Sequence, residues 1–95
     1  MKLGIVLARR ADLALAQALT AAALRAGDEV RWFAMDEGVE ALAGEANQLP
    51  ETVEVFACAT SVDQRGLAMP IAVTLGSQDD HAALLAWADR TVALT

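Results

Sequence analysis

Leu3-Gly4-Ile5-Val6-Leu7-Ala8 is an unbroken apolar run of strand length. A strand with one wet face alternates apolar and polar side chains, whereas a run without alternation belongs to a strand covered on both faces, the kind that builds parallel sheets. The segment therefore predicts an α/β domain with this strand at its centre. Arg9-Arg10-Ala11-Asp12 makes the turn that follows, and Asp12 is placed to cap the next helix by accepting a bond from an unpaired N–H.

Working outward, that helix runs to about Ala26, where Gly27 offers the left-handed conformation that ends a helix at little cost. At helical spacing Leu15, Leu19, Ala22, Ala23 and Ala26 share one face, the expected sheet-packing stripe. Leu13 and Leu24 fall on the opposite side and read either as a subunit contact or as two incidental exposures. Residues 30–35 form the second strand. Asp36 is positioned to cap a short helix closed by Gly44, and residues 45–52 lack any period and read as a surface loop. Residues 53–57 make a third strand, after which Ser61-x-x-Gln64 has capping-box spacing for a brief helix ending near Gly66. Residues 71–75 are the fourth strand. Ser77 and Asp80, again at capping-box spacing, open a last helix carrying His81, Leu84, Leu85, Trp87 and Ala88, and residues 90–94 close the chain as a fifth strand. Trp32 and Trp87 read as core or interface aromatics. Strict alternation of strands and helices predicts one domain over residues 1–95, a three-layer α/β/α sandwich on a five-stranded parallel sheet.

Bulk composition narrows the partners. Thirteen acidic against seven basic residues leave a net charge of −6, which repels nucleic acid and anionic membrane surfaces. The Ala/Leu-rich stretch 13–24 is too short to span a bilayer. Hydrophobic residues reach 56% of the 95, above the roughly 45–50% of soluble domains, an excess that predicts a homo-oligomer. The single cysteine, Cys58, cannot form an internal disulfide, which fits a reducing cytoplasm.

In parallel sheets reactive groups gather beyond the carboxyl ends of the strands. Cys58 falls at that end of the third strand, with residues 8–12, 36–38 and 76–81 on the same rim. Several chemistries lack their residues there. The turn after the first strand has no Gly-x-Gly-x-x-Gly, Walker or flavin phosphate loop, and a receiver domain needs an aspartate where Cys58 stands. Thioredoxin chemistry needs a second cysteine, and six residues separate Cys58 from Arg65 where the small tyrosine phosphatases have five. One His and one Cys predict no metal site, and no motif calls for a cofactor. What remains is a thiol before a helix N-terminus, whose unpaired N–H groups favour the nucleophilic thiolate. The competing reading is a small buried hydrophobe that happens to be cysteine.

The Ala-rich first helix with Ala26-Gly27-Asp28-Glu29-Val30, the Phe33…Asp36…Gly38-Val39 pattern, Val53-Glu54-Val55 leading to Cys58, and Arg65-Gly66 downstream together resemble the DsrE/DsrF-like family of sulfur-relay proteins over nearly the whole chain. One departure is Asp36-Glu37-Gly38, where a direct Asp-Gly pair is common. The resemblance implies a small α/β domain that assembles with itself or with related subunits and carries sulfur as a persulfide on Cys58, between donor and acceptor proteins. On that reading Cys58 is the catalytic residue. The N–H groups of Thr60, Ser61 and Val62 steady the sulfur anion with the Thr60 and Ser61 hydroxyls; Arg65 either adds positive charge or faces solvent, and His81 either reaches the rim, if the third and fourth strands are neighbours, or is one exposed polar residue near a helix N-terminus. Members without the cysteine serve structural roles, so the alternative is a non-catalytic oligomer in which Cys58 is incidental.

Overall fold

The structure, a computed structural model, describes residues 1–44 and 49–95. Five strands, β1 (Lys2–Leu7), β2 (Glu29–Ala34), β3 (Glu54–Cys58), β4 (Val73–Gly76) and β5 (Arg90–Leu94), alternate with four helices, α1 (Leu13–Arg25), α2 (Gly38–Ala43), α3 (Ala59–Gln64) and α4 (Gln78–Trp87). Every strand pair is parallel and the order is β4-β3-β2-β1-β5. β1 is paired on both sides, and its Leu3, Ile5, Val6 and Leu7 are buried, as its unbroken apolar run requires. The expected three-layer sandwich is the observed one.

The period-two pleat divides the strand residues between two unequal layers. Leu3, Ile5 and Leu7, Val30 and Trp32, and Val55 and Ala57 pack with Ala16 and Ala23 of α1, Val39 and Leu42 of α2 and Val62 of α3 into the main core. The chain thus steps from β1 to β4 with its first three helices on one face. α4 then returns across the other face to lay β5 beside β1, and Leu84 packs there against Val6, Phe33 and Cys58 in a second, smaller cluster.

α1 corrects the sequence reading. Ala16, Thr20 and Ala23 are its buried residues, with Leu13 and Leu24 packed against the core beside them. Leu15 is 50% exposed, Ala22 and Ala26 also face outward, and Leu19 is half-buried. The patch read as a subunit contact or as incidental exposure is core-facing, and most of the expected core stripe is outward. The reversal has one cause: Thr20 looks like a polar interruption but is 1% exposed and satisfied. Its hydroxyl donates to the Ala16 carbonyl at 2.8 Å and accepts from Trp32 Nε1 at 2.9 Å, so the fully buried Trp32 is core and its indole N–H is paired.

The caps divide similarly. Gly27 has φ 85°, with Gly27 N–H bonded to Leu24 and Asp28 N–H to Ala23, the Schellman closure expected of it. Gly66 closes α3 in the same way, φ 61°, with N–H bonds from Gly66 to Asp63 and from Leu67 to Val62. The Ser77 and Asp80 box is present: Asp80 Oδ2 accepts from Ser77 N–H and Ser77 Oγ from Asp79 N–H. Asp12 does not cap α1, because a 3-10 turn (Arg10–Asp12) intervenes and its carboxylate lies 3.8 Å from Arg9. Nor does Asp36 cap α2, which starts two residues later at Gly38. The Ser61-x-x-Gln64 box is absent because α3 begins at Ala59 with Cys58 in the N-cap position, which buries Ser61 inside the first turn. Of the expected loop, residues 45–48 lie outside the described residues. Among those described, no helix is long and apolar enough to cross a membrane.

Thr20→Val keeps the shape of the side chain but leaves the Trp32 N–H without its acceptor, and is expected to cost about 1–3 kcal/mol in urea unfolding. Ala22→Gln, on the outward face, is expected to stay within about 0.5 kcal/mol of wild type in the same assay.

Candidate functional site

Cys58 is the last residue of β3, opposite Gly76 of β4, and its extended backbone (φ −60°, ψ 115°) turns directly into α3. It is 7% exposed and packs in the smaller cluster with Val6, Phe33 and Leu84. Burial pushes the thiol pKa up. Hydrogen bonds from the Ser61 hydroxyl, the Ser61 and Thr60 N–H groups and the Gln78 side chain together outweigh burial and hold it below its ordinary value. These donors are what the first turn of a helix leaves unpaired, aimed at the one group that gains by losing a proton.

The Ser61 hydroxyl is itself held. Its oxygen accepts from the Asp36 N–H at 3.0 Å, which leaves its own hydrogen for the sulfur. Asp36 has φ 52°, a left-handed conformation, in the turn that carries this N–H. Opposite, Gln78 Nε2 lies 3.9 Å from Cys58 Sγ, and Gln78 Oε1 lies 3.0 Å from His81 Nδ1. The His81 ring is stacked on Phe33, with centroids 5.0 Å apart and planes within 9°. β3 and β4 are neighbours, so the condition placed on His81 is met, and Gln78 is the side chain through which it meets the sulfur.

The other expected site residues are placed as follows. Thr60 is exposed, with its N–H on the sulfur. Val62 is buried in the main core, and it is the two preceding amides that reach Cys58. The Arg65 guanidinium bonds Glu40 Oε2 at 3.0 Å and the Ser61 carbonyl at 3.3 Å, and Glu40 also receives Arg10 at 3.1 Å, so Arg65 ties α3 to α2. Gln78 was not singled out in the sequence; its signal is its position, first in the helix after the Ser77 cap on the same rim. Trp87 is half-buried with the Arg31 guanidinium 4.1 Å over its ring. A cavity of about 420 Å³, lined by Leu49, Pro50, Val53, Val55, Pro70 and Val73, opens at the amino ends of β3 and β4, the end away from Cys58.

The site is thus a lone thiol at a sheet rim, held by amide and hydroxyl donors, on a five-stranded parallel α/β sandwich. No protein-family model matches the chain, and no curated protein matches it. The crystal structure of the ychN protein from E. coli is similar over 99% of both chains, with a TM-score of 0.70 and 26% sequence identity. That protein has the DsrE/DsrF-like fold, and the present chain shares this fold.

Ser61→Ala removes one donor to the sulfur and is expected to move the pH profile of iodoacetamide alkylation of Cys58 upward and to slow alkylation at pH 7. The sign carries over to stability. A thiol whose folded pKa is depressed stabilises the fold fully above the unfolded value of about 8.5 and loses that contribution as pH falls through the folded value. The urea midpoint of the wild type, measured against Cys58→Ala, should therefore rise with pH across that window; a constant difference would contradict it.

Proposed function

We propose that the chain is an intracellular sulfur carrier that holds sulfur as a persulfide on Cys58. One observation carries this reading: a thiol with no second cysteine to pair with sits where Ser61, Thr60 and Gln78 donors hold it below its ordinary pKa. The Cys58 thiolate attacks the outer sulfur of a donor persulfide, forming a new S–S bond as the donor's S–S bond breaks and the donor leaves as a thiolate. The hydrogen of the persulfide stays on the transferred sulfur. In the second half the thiolate of an acceptor protein takes that sulfur, and Cys58 is returned as a thiolate. No outside oxidant or reductant enters, because the sulfane sulfur changes hands at constant oxidation level. The net charge of −6 disfavours nucleic acid and membrane partners, which leaves donor and acceptor proteins.

A second reading rests on the surface. Cys58 is only 7% exposed, while Leu15, Leu75, Leu85 and Ile71 are each at least half exposed, the pattern of an assembling subunit in which the thiol is incidental. Oligomerisation is common to both readings. It rests on these side chains and not on Leu13 and Leu24.

Intact-mass measurement after incubation with a persulfide-generating donor separates the two. The wild type is expected to gain one sulfur and Cys58→Ser none; a wild type that gains none removes the carrier reading. Size-exclusion with light scattering is expected to give a mass above 10.0 kDa, and a monomer at micromolar concentration removes the oligomer.

A further inference from the structure

We propose that Gln78 and His81 are positioning residues for the Cys58 sulfur, His81 fixing the Gln78 amide so that its Nε2 donates to Sγ. The proposal rests on the carrier reading for its purpose and on geometry for its content. A glutamine in the first turn of a helix has three rotatable bonds and loses substantial entropy when held. Here one direct contact and two supports behind it hold it. The Ser77 and Asp80 box fixes the turn from which Gln78 projects. His81 Nδ1, 3.0 Å away, engages the oxygen end of the amide. Phe33, itself fully buried, lies flat against the imidazole and fixes the plane in which Nδ1 is presented.

An amide has one accepting and one donating end. With Nδ1–H donating to Oε1, the Nε2 hydrogens are left to face Cys58 at 3.9 Å; the reversed amide would turn an oxygen towards a sulfur that is to carry negative charge. The geometry therefore assigns His81 the Nδ1–H tautomer. Neither side chain need exchange a proton with the sulfur. Asp79 and Asp80 stand in the same first turn, and Asp80 is committed to the Ser77 N–H. The donor is in place at both ends of the relay: it steadies the attacking thiolate when sulfur arrives, and it receives the electron pair left on Sγ when the S–S bond to the outer sulfur breaks. A thiol of lower pKa is the better leaving group, so the second half depends on Gln78 as much as the first.

The test uses the whole chain and three variants. Gln78→Leu removes both ends of the amide, Gln78→Glu replaces the donor with a carboxylate, and His81→Phe keeps a ring for the Phe33 stack while deleting Nδ1. Iodoacetamide alkylation of Cys58 is followed against pH, in buffer and in urea. Gln78→Leu is expected to shift the profile upward and slow alkylation at pH 7 by about threefold, the scale of one net hydrogen bond. Gln78→Glu should slow it further and His81→Phe less, with all four proteins converging in urea. Long-range ¹⁵N–¹H correlation of the only imidazole should show hydrogen on Nδ1 in the wild type and lose that preference in Gln78→Leu. A Gln78→Leu profile superimposable on the wild type overturns the proposal. A His81→Phe profile like the wild type, with Gln78→Leu shifted, overturns the part given to His81. A protein that gains no sulfur mass yet shows these shifts keeps the positioning and loses the carrier, so the two failures are distinguishable.

Discussion

Parallel pairing of β3 with β4 sets Cys58 opposite Gly76, and the rim depends on that register. Side chains alternate along a strand, so a slip of one residue would turn Cys58 to the other layer. Gly76 contributes as well, by leaving space. A Cβ there would meet the Asp80 carboxylate, which is bonded to the Ser77 N–H. Gly76, Ser77, Gln78 and Asp80 thus form one device: Gly76 makes room for Asp80, Ser77 completes the cap, and Gln78 is delivered to the sulfur across the strand pair.

The two layers are unequal, and Cys58 lies on the thinner one. Three helices cover the face that holds Trp32, whose Nε1 is bonded to Thr20. A single helix covers the other, and because α4 must travel from β4 at one edge to β5 beyond β1, it passes over β3 and β2 on the way. That oblique path sets His81 on Phe33 and Leu84 against Val6, and brings Trp87 to Arg31. The return helix is therefore both the cover of the second layer and the source of two of the groups around the thiol.

The fold was legible because it is written in periods and punctuation. The apolar run 3–8, the alternation of strands with helices, Gly27, and the Ser77 and Asp80 spacing each report on local geometry. What local spacing could not reveal was which side of α1 faces inward, since a buried threonine is recognised only once its partner Trp32, twelve residues on, is brought beside it. Ser61 was named as a donor to the sulfur, but the bond its hydroxyl oxygen accepts from Asp36 was hidden for a similar reason: Asp36 follows another strand, twenty-five residues away. Cys58 was found because a thiol at a strand end is conspicuous, whereas Gln78 carries no chemistry of its own and acquires its part only from what stands on either side of it. The residues that carried the family resemblance are largely structural. A side chain on Gly38 would overlap the Leu7 carbonyl, Gly66 supplies a left-handed turn, and Arg65 is joined to Glu40.

Asp36 shows how such a site resists improvement. It is the one non-glycine residue with positive φ among those described, a conformation aspartate tolerates and glycine adopts freely. A glycine there would relieve the backbone in the folded state while widening the range of turns open to the segment. The N–H that aligns Ser61 would then be aimed less narrowly. Relief of φ and the added freedom of the unfolded chain act on stability in opposite directions, so aspartate holds the turn that serves the sulfur at little net cost to the fold.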